Sequence, residues 1–165
     1  MHPMSSPPPD QHAEQPLASG FAINGPMGVV PSEGRLQLRV RYCECDPMGF
    51  VHHASYFPWL EMGRTELLRT AGASYKAMEE AGFLLVIVKA EARFKRPGRY
   101  DDLVEVRTRV VGGGHVKIQH EYDVVAIERD ANPCNETLVT AATTLACIGR
   151  DGQVRELPEW LVRRG

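Results

Sequence analysis

The chain has 165 residues and a formal net charge of -2, with 19 Lys and Arg residues against 21 Asp and Glu residues. This balance gives no case for a nucleic-acid partner, which requires a clustered basic surface. The longest apolar run, residues 83–88, is too short to cross a bilayer, and the N-terminus lacks the apolar region of a secretory signal. We therefore expect a cytoplasmic protein with no transmembrane segment, whose four cysteines are reduced.

The composition divides the chain into a tail and one domain. Residues 1–34 are rich in Pro, Ser and Gly and show no apolar periodicity, which predicts a disordered N-terminal tail. Residues 35–165 are numerous enough to bury a core of ordinary size, so we expect a single domain there.

The first half of this domain predicts a strand followed by two helices. Residues 36–43 alternate, which indicates a half-buried strand. A long helix is expected from about Ser55 to Thr70 or Ala71, ended by Gly72, and a short helix at residues 74–81, ended by Gly82. The side chains predicted to face inward are Leu36, Leu38, Val40 and Tyr42 of the strand and Tyr56, Leu60, Gly63 and Leu67 of the long helix.

The second half predicts strands alone until a short C-terminal helix near residues 157–160. The apolar run in residues 83–94 is typical of a central strand. Residues 103–111 and 116–124 alternate around a Gly-rich hairpin at 112–114, and residues 137–148 form the last strand. The order favours an α+β fold in which a curved antiparallel sheet wraps around one long central helix. Because such a sheet leaves an edge strand exposed, we expect a homodimer or homotetramer.

Residues 41–64 concentrate the chemistry of the chain. Asp46 precedes Pro47, which disfavours helix at that position, and Gly49 allows a turn. His52 and His53 fall where the long helix begins, and free backbone N–H groups gather at such a terminus. A carboxylate opposite free donors suits attack on a carbonyl group. Two other interpretations are a capping or turn role for Asp46 and a zinc site, although the spacing of Cys43, Cys45, His52 and His53 is not a common ligand pattern.

The same residues carry a resemblance to a known family. The segments Arg39-Val40-Arg41-Tyr42, Asp46-x-x-Gly49-x-Val51-x-His53-Ala54-Ser55-Tyr56 and Glu61-x-x-Arg64 resemble the hotdog-fold acyl-CoA thioesterases of the hydroxybenzoyl-CoA thioesterase type, and most of all the subgroup associated with the Tol–Pal system. The resemblance spans residues 36–150. The chain departs from the subgroup at His52, where tyrosine is frequent, and at Cys45, where threonine is common.

The resemblance implies a hotdog fold and hydrolysis of an acyl-CoA thioester. Asp46 corresponds to the catalytic carboxylate, acting as nucleophile or as general base for water. The backbone N–H of His53 corresponds to the donor that polarises the carbonyl, and the His53 imidazole to an assisting group. No metal or redox cofactor is implied.

Other residues are candidates for holding the substrate. The acyl end is expected to contact Gly49, Val51, His52, Tyr56 and Glu61, although Glu61 could instead form an i,i+3 ion pair with Arg64. The phosphates of coenzyme A need cations or backbone N–H groups, for which the candidates are Lys95, Arg96, Arg99, Gly113, His115 and Lys117.

Two other functions fit the same fold. A non-catalytic module could bind acyl-CoA or an acyl carrier without turning it over. A hotdog hydratase acting on enoyl-CoA also pairs Asp with His, although such enzymes hold the pair on a different loop.

Overall fold

A computed structural model of the chain describes residues 30–162. The predicted tail therefore lies largely outside the described residues. The first strand begins at Glu33, two residues before the expected start of the domain. Val30 is buried, and the Val110 N–H donates to the Ser32 carbonyl at 2.7 Å. The folded unit thus includes residues that precede position 35.

Five strands form one antiparallel sheet in the order β1-β3-β4-β5-β2. The sharp hairpin between β3 and β4 confirms the prediction from the three glycines. There Gly113 has φ +138°, and a Cβ at this position would lie 2.3 Å from the Lys117 carbonyl oxygen, so no larger residue fits without a shift. The strands are β1 (Glu33–Arg39), β2 (Leu84–Phe94), β3 (Leu103–Gly113), β4 (Lys117–Arg129) and β5 (Asn132–Ile148).

Three α-helices accompany the sheet within residues 30–162, and all three were predicted. They are α1 (Tyr56–Thr70), α2 (Tyr75–Glu80) and α3 (Glu159–Val162). Gly72 and Gly82 follow the first two helices in the left-handed region, with φ +79° and +82°. The Ser74 hydroxyl accepts the Ala77 N–H at 3.1 Å and so caps α2.

Helix α1 lies across the sheet on its predicted apolar stripe. Tyr56, Leu60, Gly63 and Leu67 are all buried, which confirms the expected face. Gly63 allows the close approach, because an added Cβ would stand 2.5 Å from the Thr108 hydroxyl on β3. The N-terminal half of α1 packs on one core cluster and its C-terminal half on a second, which also includes α2 and α3.

Two sequence predictions are wrong. Tyr42 does not face inward: β1 ends at Arg39, residues Tyr42–Glu44 form a 3-10 turn, and Tyr42 is 82% exposed. The apolar strand β2 is not central but lies at the edge of the sheet, with Val86, Ile87 and Val88 exposed. The prediction for Tyr42 failed because the alternation of apolar and polar residues continues in the sequence past Arg39, where β1 ends. The prediction for β2 failed because an apolar run looks the same in the sequence whether its own chain or a second chain could cover it.

None of the helices within residues 30–162 has the length and apolar character needed to span a membrane.

Candidate active site

The loop that carries Asp46 is closed upon itself. Cys45 and Val51 form an antiparallel bridge across its base, and Gly49 turns the chain with φ +79°. Asp46 is half-buried, and its Oδ1 atom accepts the backbone N–H groups of Met48 at 2.9 Å and Phe50 at 3.3 Å. These bonds orient the carboxylate, whereas Oδ2 receives no hydrogen bond from residues 30–162. One carboxylate oxygen is therefore held by the loop while the other can meet a substrate or a water molecule.

The start of α1 presents a free backbone donor. A 3-10 turn, His53–Ser55, precedes the helix, so regular α-helix begins at Tyr56, slightly later than the sequence suggested. The His52 Nδ1 atom accepts the Ala54 N–H at 3.2 Å, and the His52 carbonyl accepts the Ser55 N–H at 2.9 Å. The described part of the chain offers the His53 N–H no acceptor. An amide at the start of a helix that lacks an internal acceptor is available to donate to a ligand.

Glu44 ties the Asp46 loop to the helix start. Its carbonyl accepts the His52 N–H at 2.8 Å and the Ser55 hydroxyl at 3.0 Å. Its buried carboxylate accepts the Trp59 indole N–H at 2.9 Å and both the backbone N–H and the guanidinium of Arg41, at 2.8 and 2.7 Å. The segments that carry Asp46 and the His53 amide are thus joined through both the main chain and the side chain of one residue.

The ionised form of Glu44 is favoured in the folded protein. Burial alone raises the pKa of this carboxyl, but the hydrogen bonds from Arg41 and Trp59 outweigh burial and hold the pKa below its usual value.

The segment between β2 and β3 supports the other side of the loop. Phe50 and Arg99 form a bridge, the Val51 N–H donates to the Gly98 carbonyl at 2.9 Å, and the Gly98 N–H donates to the Tyr56 hydroxyl at 3.3 Å. A Cβ on Gly98 would stand 3.0 Å from the Val51 side chain, so glycine permits this close contact.

A buried ion pair anchors the same segment to the sheet. Asp102 is 2% exposed and accepts Arg129 Nε at 2.9 Å and Arg129 Nη2 at 2.7 Å. Asp102 also accepts the Arg99 N–H at 2.9 Å, and the Arg129 guanidinium reaches the Pro97 carbonyl at 3.2 Å. Despite partial burial, Asp102 raises the pKa of Arg129, because the hydrogen-bonded carboxylate favours the cation.

A surface groove of about 240 Å³ follows α1 away from the His53 turn. Glu61 and Arg64 lie in it and form the alternative ion pair considered from the sequence, with Arg64 Nη2 and Glu61 Oε2 2.9 Å apart. Glu61 therefore both lines a groove and pairs with Arg64. The lining residues are Phe57, Pro58, Leu60, Glu61, Arg64, Ile87 and Thr143.

The structure brings together most of the predicted acyl-site residues, but it separates the coenzyme A candidates. Four of them lie on the Asp46 loop or at the helix start, namely Gly49, Val51, His52 and Tyr56. Lys95, Arg96 and Arg99 are exposed on the adjoining segment, where Arg96 lies 3.4 Å from Glu136. Gly113, His115 and Lys117 belong to the β3–β4 hairpin, at the opposite end of β4 from the Arg129 that supports this segment. Within one protomer, these two sets cannot hold the same phosphate.

Sequence reasoning missed Glu44, Asp102 and Arg129. The only local signal was Glu44 lying three residues after Arg41, which usually marks an exposed pair. Asp102 and Arg129 are 27 residues apart, and no spacing indicates their contact.

The zinc interpretation has no support in the part of the chain described. There, no group of three or more His, Cys, Asp and Glu side chains could hold a metal ion.

Comparison with known proteins shows the family to which the chain belongs. A family described as the thioesterase-like superfamily matches residues 40–165. A putative acyl-CoA thioesterase, YneP of Bacillus subtilis, is 31% identical over 129 residues, covering 75% of this chain and 89% of the relative. The acyl-CoA thioester hydrolase YbgC of Escherichia coli O6:H1 is 30% identical over 114 residues, covering 69% of this chain and 81% of the relative.

A solved structure agrees with these sequence relatives. A probable thioesterase from Bartonella henselae superposes with a TM-score of 0.69 at 29% identity, over 76% of this chain and 99% of that one. The predicted hotdog fold is thereby confirmed, whereas the narrower assignment to the Tol–Pal-associated subgroup stays a prediction.

Proposed function

The chain belongs to the thioesterase-like superfamily and is a thioester hydrolase, and from this premise we propose that it cleaves acyl-CoA with Asp46 and the His53 amide. The proposal rests on two polar groups that are left unused on two joined segments. Asp46 has one carboxylate oxygen outside the hydrogen bonds of its own loop, and the His53 N–H lacks an acceptor among the described residues. Glu44 holds the two segments together.

The proposed reaction begins when the His53 N–H donates to the thioester carbonyl oxygen. A nucleophile then attacks the carbonyl carbon, and the oxygen gains negative charge, which this donor stabilises by about 3 kcal/mol. The tetrahedral species collapses, the carbon–sulfur bond breaks, and the thiolate of coenzyme A leaves. Because this thiolate is a good leaving group, a strong general acid is less necessary, which suits a site with one carboxylate.

Asp46 has two possible roles in this reaction. As a general base, it removes a proton from the attacking water, and the acid forms directly. As a nucleophile, it forms a mixed anhydride with the acyl group, which a water molecule then hydrolyses to return the carboxylate. The His53 imidazole assists by hydrogen bonding at the mouth of the site.

We propose that coenzyme A lies over the segment after β2. Lys95, Arg96 and Arg99 are exposed beside the Asp46 loop, and their positive charges suit phosphate groups. Gly113, His115 and Lys117 can contribute only if another subunit brings its hairpin close to this site.

A homodimer is the second part of the proposal. Among residues 30–162, strand β2 has no strand on its outer side and exposes apolar side chains there, and Ile87 of this strand also lines the groove beside α1. Pairing β2 with the β2 strand of a second copy would satisfy the edge and cover the groove. Sedimentation of Val88→Asp, which puts a charge on this edge, should show monomers where the unaltered protein forms dimers. A monomeric unaltered protein would contradict this part of the proposal.

Thiol release from a panel of short, long and aromatic acyl-CoAs tests the catalytic proposal. We expect Asp46→Asn to lower kcat at least about a hundredfold while acyl-CoA still binds. Asp101→Asn is the matched control, because Asp101 is an exposed carboxylate near the site and Asn tolerates its left-handed φ of 68°. Unchanged turnover in Asp46→Asn would refute the role of Asp46. Binding without turnover by the unaltered protein would favour the non-catalytic module, and loss of enoyl-CoA absorbance would favour the hydratase.

A further inference from the structure

The groove beside α1 has a defined direction. It begins at Phe57 and Pro58, directly after the turn that presents the His53 amide, and continues along the helix to Arg64. Arg64 lies seven residues after Phe57, which corresponds to about 10 Å along the helix axis. Apolar side chains form much of the lining, with Leu60 on the helix and Ile87 on β2. An acyl chain whose carbonyl carbon lies at the His53 amide would enter here.

Arg64 stands at the inner end of the groove. Its side chain is only 7% exposed, and its Nη2 atom donates to Glu61 Oε2 at 2.9 Å. The guanidinium faces Tyr75 and Tyr122. Next to it, the hydroxyl groups of Tyr122 and Thr143 are hydrogen-bonded at 2.9 Å. The groove therefore changes at this point from an apolar channel to a polar wall.

A second space lies behind that wall. Arg64 also lines a small cavity of about 10 Å³, whose other walls are chiefly the apolar side chains of helix α1 and the sheet, including Leu67, Leu68, Leu85 and Ile118. A cavity of this size has room for about one water molecule. Because the same side chain borders the open groove on one side and this cavity on the other, Arg64 is the partition between them.

We propose that Arg64 sets the upper length of the acyl chain that the enzyme accepts. This inference rests on the proposed function, in which the groove receives the acyl group. A chain that reaches Arg64 meets the volume that this buried side chain fills, so it can extend further only by displacing the side chain. Displacement also moves the guanidinium away from Glu61, which costs additional free energy.

Arg64→Ala tests the proposal by removing the partition. The three-methylene stem and the guanidinium leave room for an acyl chain longer by about two to four carbons. Each additional buried methylene contributes to binding in the transition state, so the ratio of kcat/KM for long over short acyl-CoAs should rise at least about tenfold. Arg64→Met refills the space without the charge and should restore the length limit of the unaltered protein.

The chain provides a matched control on the same helix. Glu66 and Arg69 form an i,i+3 pair of the same type as Glu61 and Arg64, but Arg69 is 66% exposed and does not line the groove. Arg69→Ala should leave the chain-length profile unchanged.

The outcomes separate this inference from the proposed function. If the unaltered protein hydrolyses acyl-CoAs and Arg64→Ala keeps the same length profile, the role of Arg64 is wrong while the function stands. The same conclusion follows if Arg64→Met behaves like Arg64→Ala, because occupied volume then does not set the limit. If no acyl-CoA is hydrolysed, the proposed function fails. Binding of non-hydrolysable thioether analogues of increasing length, compared between the unaltered protein and Arg64→Ala, then shows whether Arg64 still limits chain length.

Discussion

Removing the Glu44 carboxylate should loosen the active site as well as the fold. In Glu44→Ala, the buried Trp59 indole N–H loses its acceptor, which costs about 1–3 kcal/mol. The ion pair with the exposed Arg41 side chain adds little, because solvent screens it. We therefore expect the free energy of unfolding to fall by about 1–3 kcal/mol. In Glu44→Gln, one oxygen can still accept from Trp59, so the loss should be smaller, about 1 kcal/mol or less.

Urea unfolding followed by tryptophan fluorescence measures this change, and thiol release measures its effect on turnover. Because Glu44 joins the Asp46 loop to the His53 turn, kcat should fall about tenfold or more in Glu44→Ala under conditions where the variant is folded. Glu66→Gln is the control, since its exposed pair with Arg69 should change stability by less than about 0.5 kcal/mol. A folded Glu44→Ala protein with unaltered stability and unaltered kcat would refute the bridging role of Glu44.

Three further predictions follow from the same contacts. The folded-state pKa of Glu44 lies below its unfolded value, so its contribution is complete above about pH 4.5 and is lost as pH falls through the folded-state pKa. The difference in urea midpoint between the unaltered protein and Glu44→Gln should accordingly shrink at acid pH, and a difference that grows there would contradict the assignment. Gly63→Ala should lower the free energy of unfolding by about 1–3 kcal/mol, because the added Cβ would meet the Thr108 hydroxyl, although Ala has the better helix propensity. A higher melting temperature for this variant would contradict the close packing of α1 on β3. Asp102→Asn should destabilise the protein by about 2 kcal/mol and lower kcat, because it weakens the Arg129 contact behind the Asp46 loop. Calorimetry measures the change in stability and thiol release measures the change in kcat. Unchanged stability and unchanged kcat would show that the Asp102–Arg129 pair does not support the loop.

The long helix and its buried face could be predicted from the sequence because both are local. The spacing of Tyr56, Leu60, Gly63 and Leu67 specifies one face of a helix, and Gly72 ends it, so the prediction needed no knowledge of distant residues. The hairpin at residues 112–114 was predictable for the same reason.

The wrong prediction for the position of β2 shows where local sequence patterns fail. Strand β2 has the apolar composition of a central strand but lies at the edge. A single sequence reports that Val86 and Ile87 are apolar, yet it does not report whether the surface that covers them belongs to the same chain. The position of β2 depends on its pairing with β5 on one side and on what covers its other side.

The residues of the candidate site also divide into those that local sequence predicted and those that it did not. Asp46 and His53 are close in sequence, so the loop and the helix start indicated them together. Asp102 directly precedes β3 and Arg129 ends β4, so the two meet only because these strands pair. The burial of Glu44 likewise depends on the distant indole of Trp59. These supporting contacts require the tertiary fold to be known.

The two margins of the sheet differ in chemistry, and this difference has a consequence for how copies can associate. Along β1 the outward residues Glu33, Arg35, Gln37 and Arg39 are polar or charged. The β2 margin instead exposes the apolar side chains of Val86, Ile87 and Val88, followed by the charged residues Lys89, Glu91 and Arg93. If β1 of one copy paired with β2 of the next, every added copy would leave a margin free for another, and the sheet would grow into a fibre. Joining β2 to β2, as in the proposed dimer, covers the exposed apolar stretch on the margin of the described sheet, so a third copy would find only the polar β1 margins to pair with.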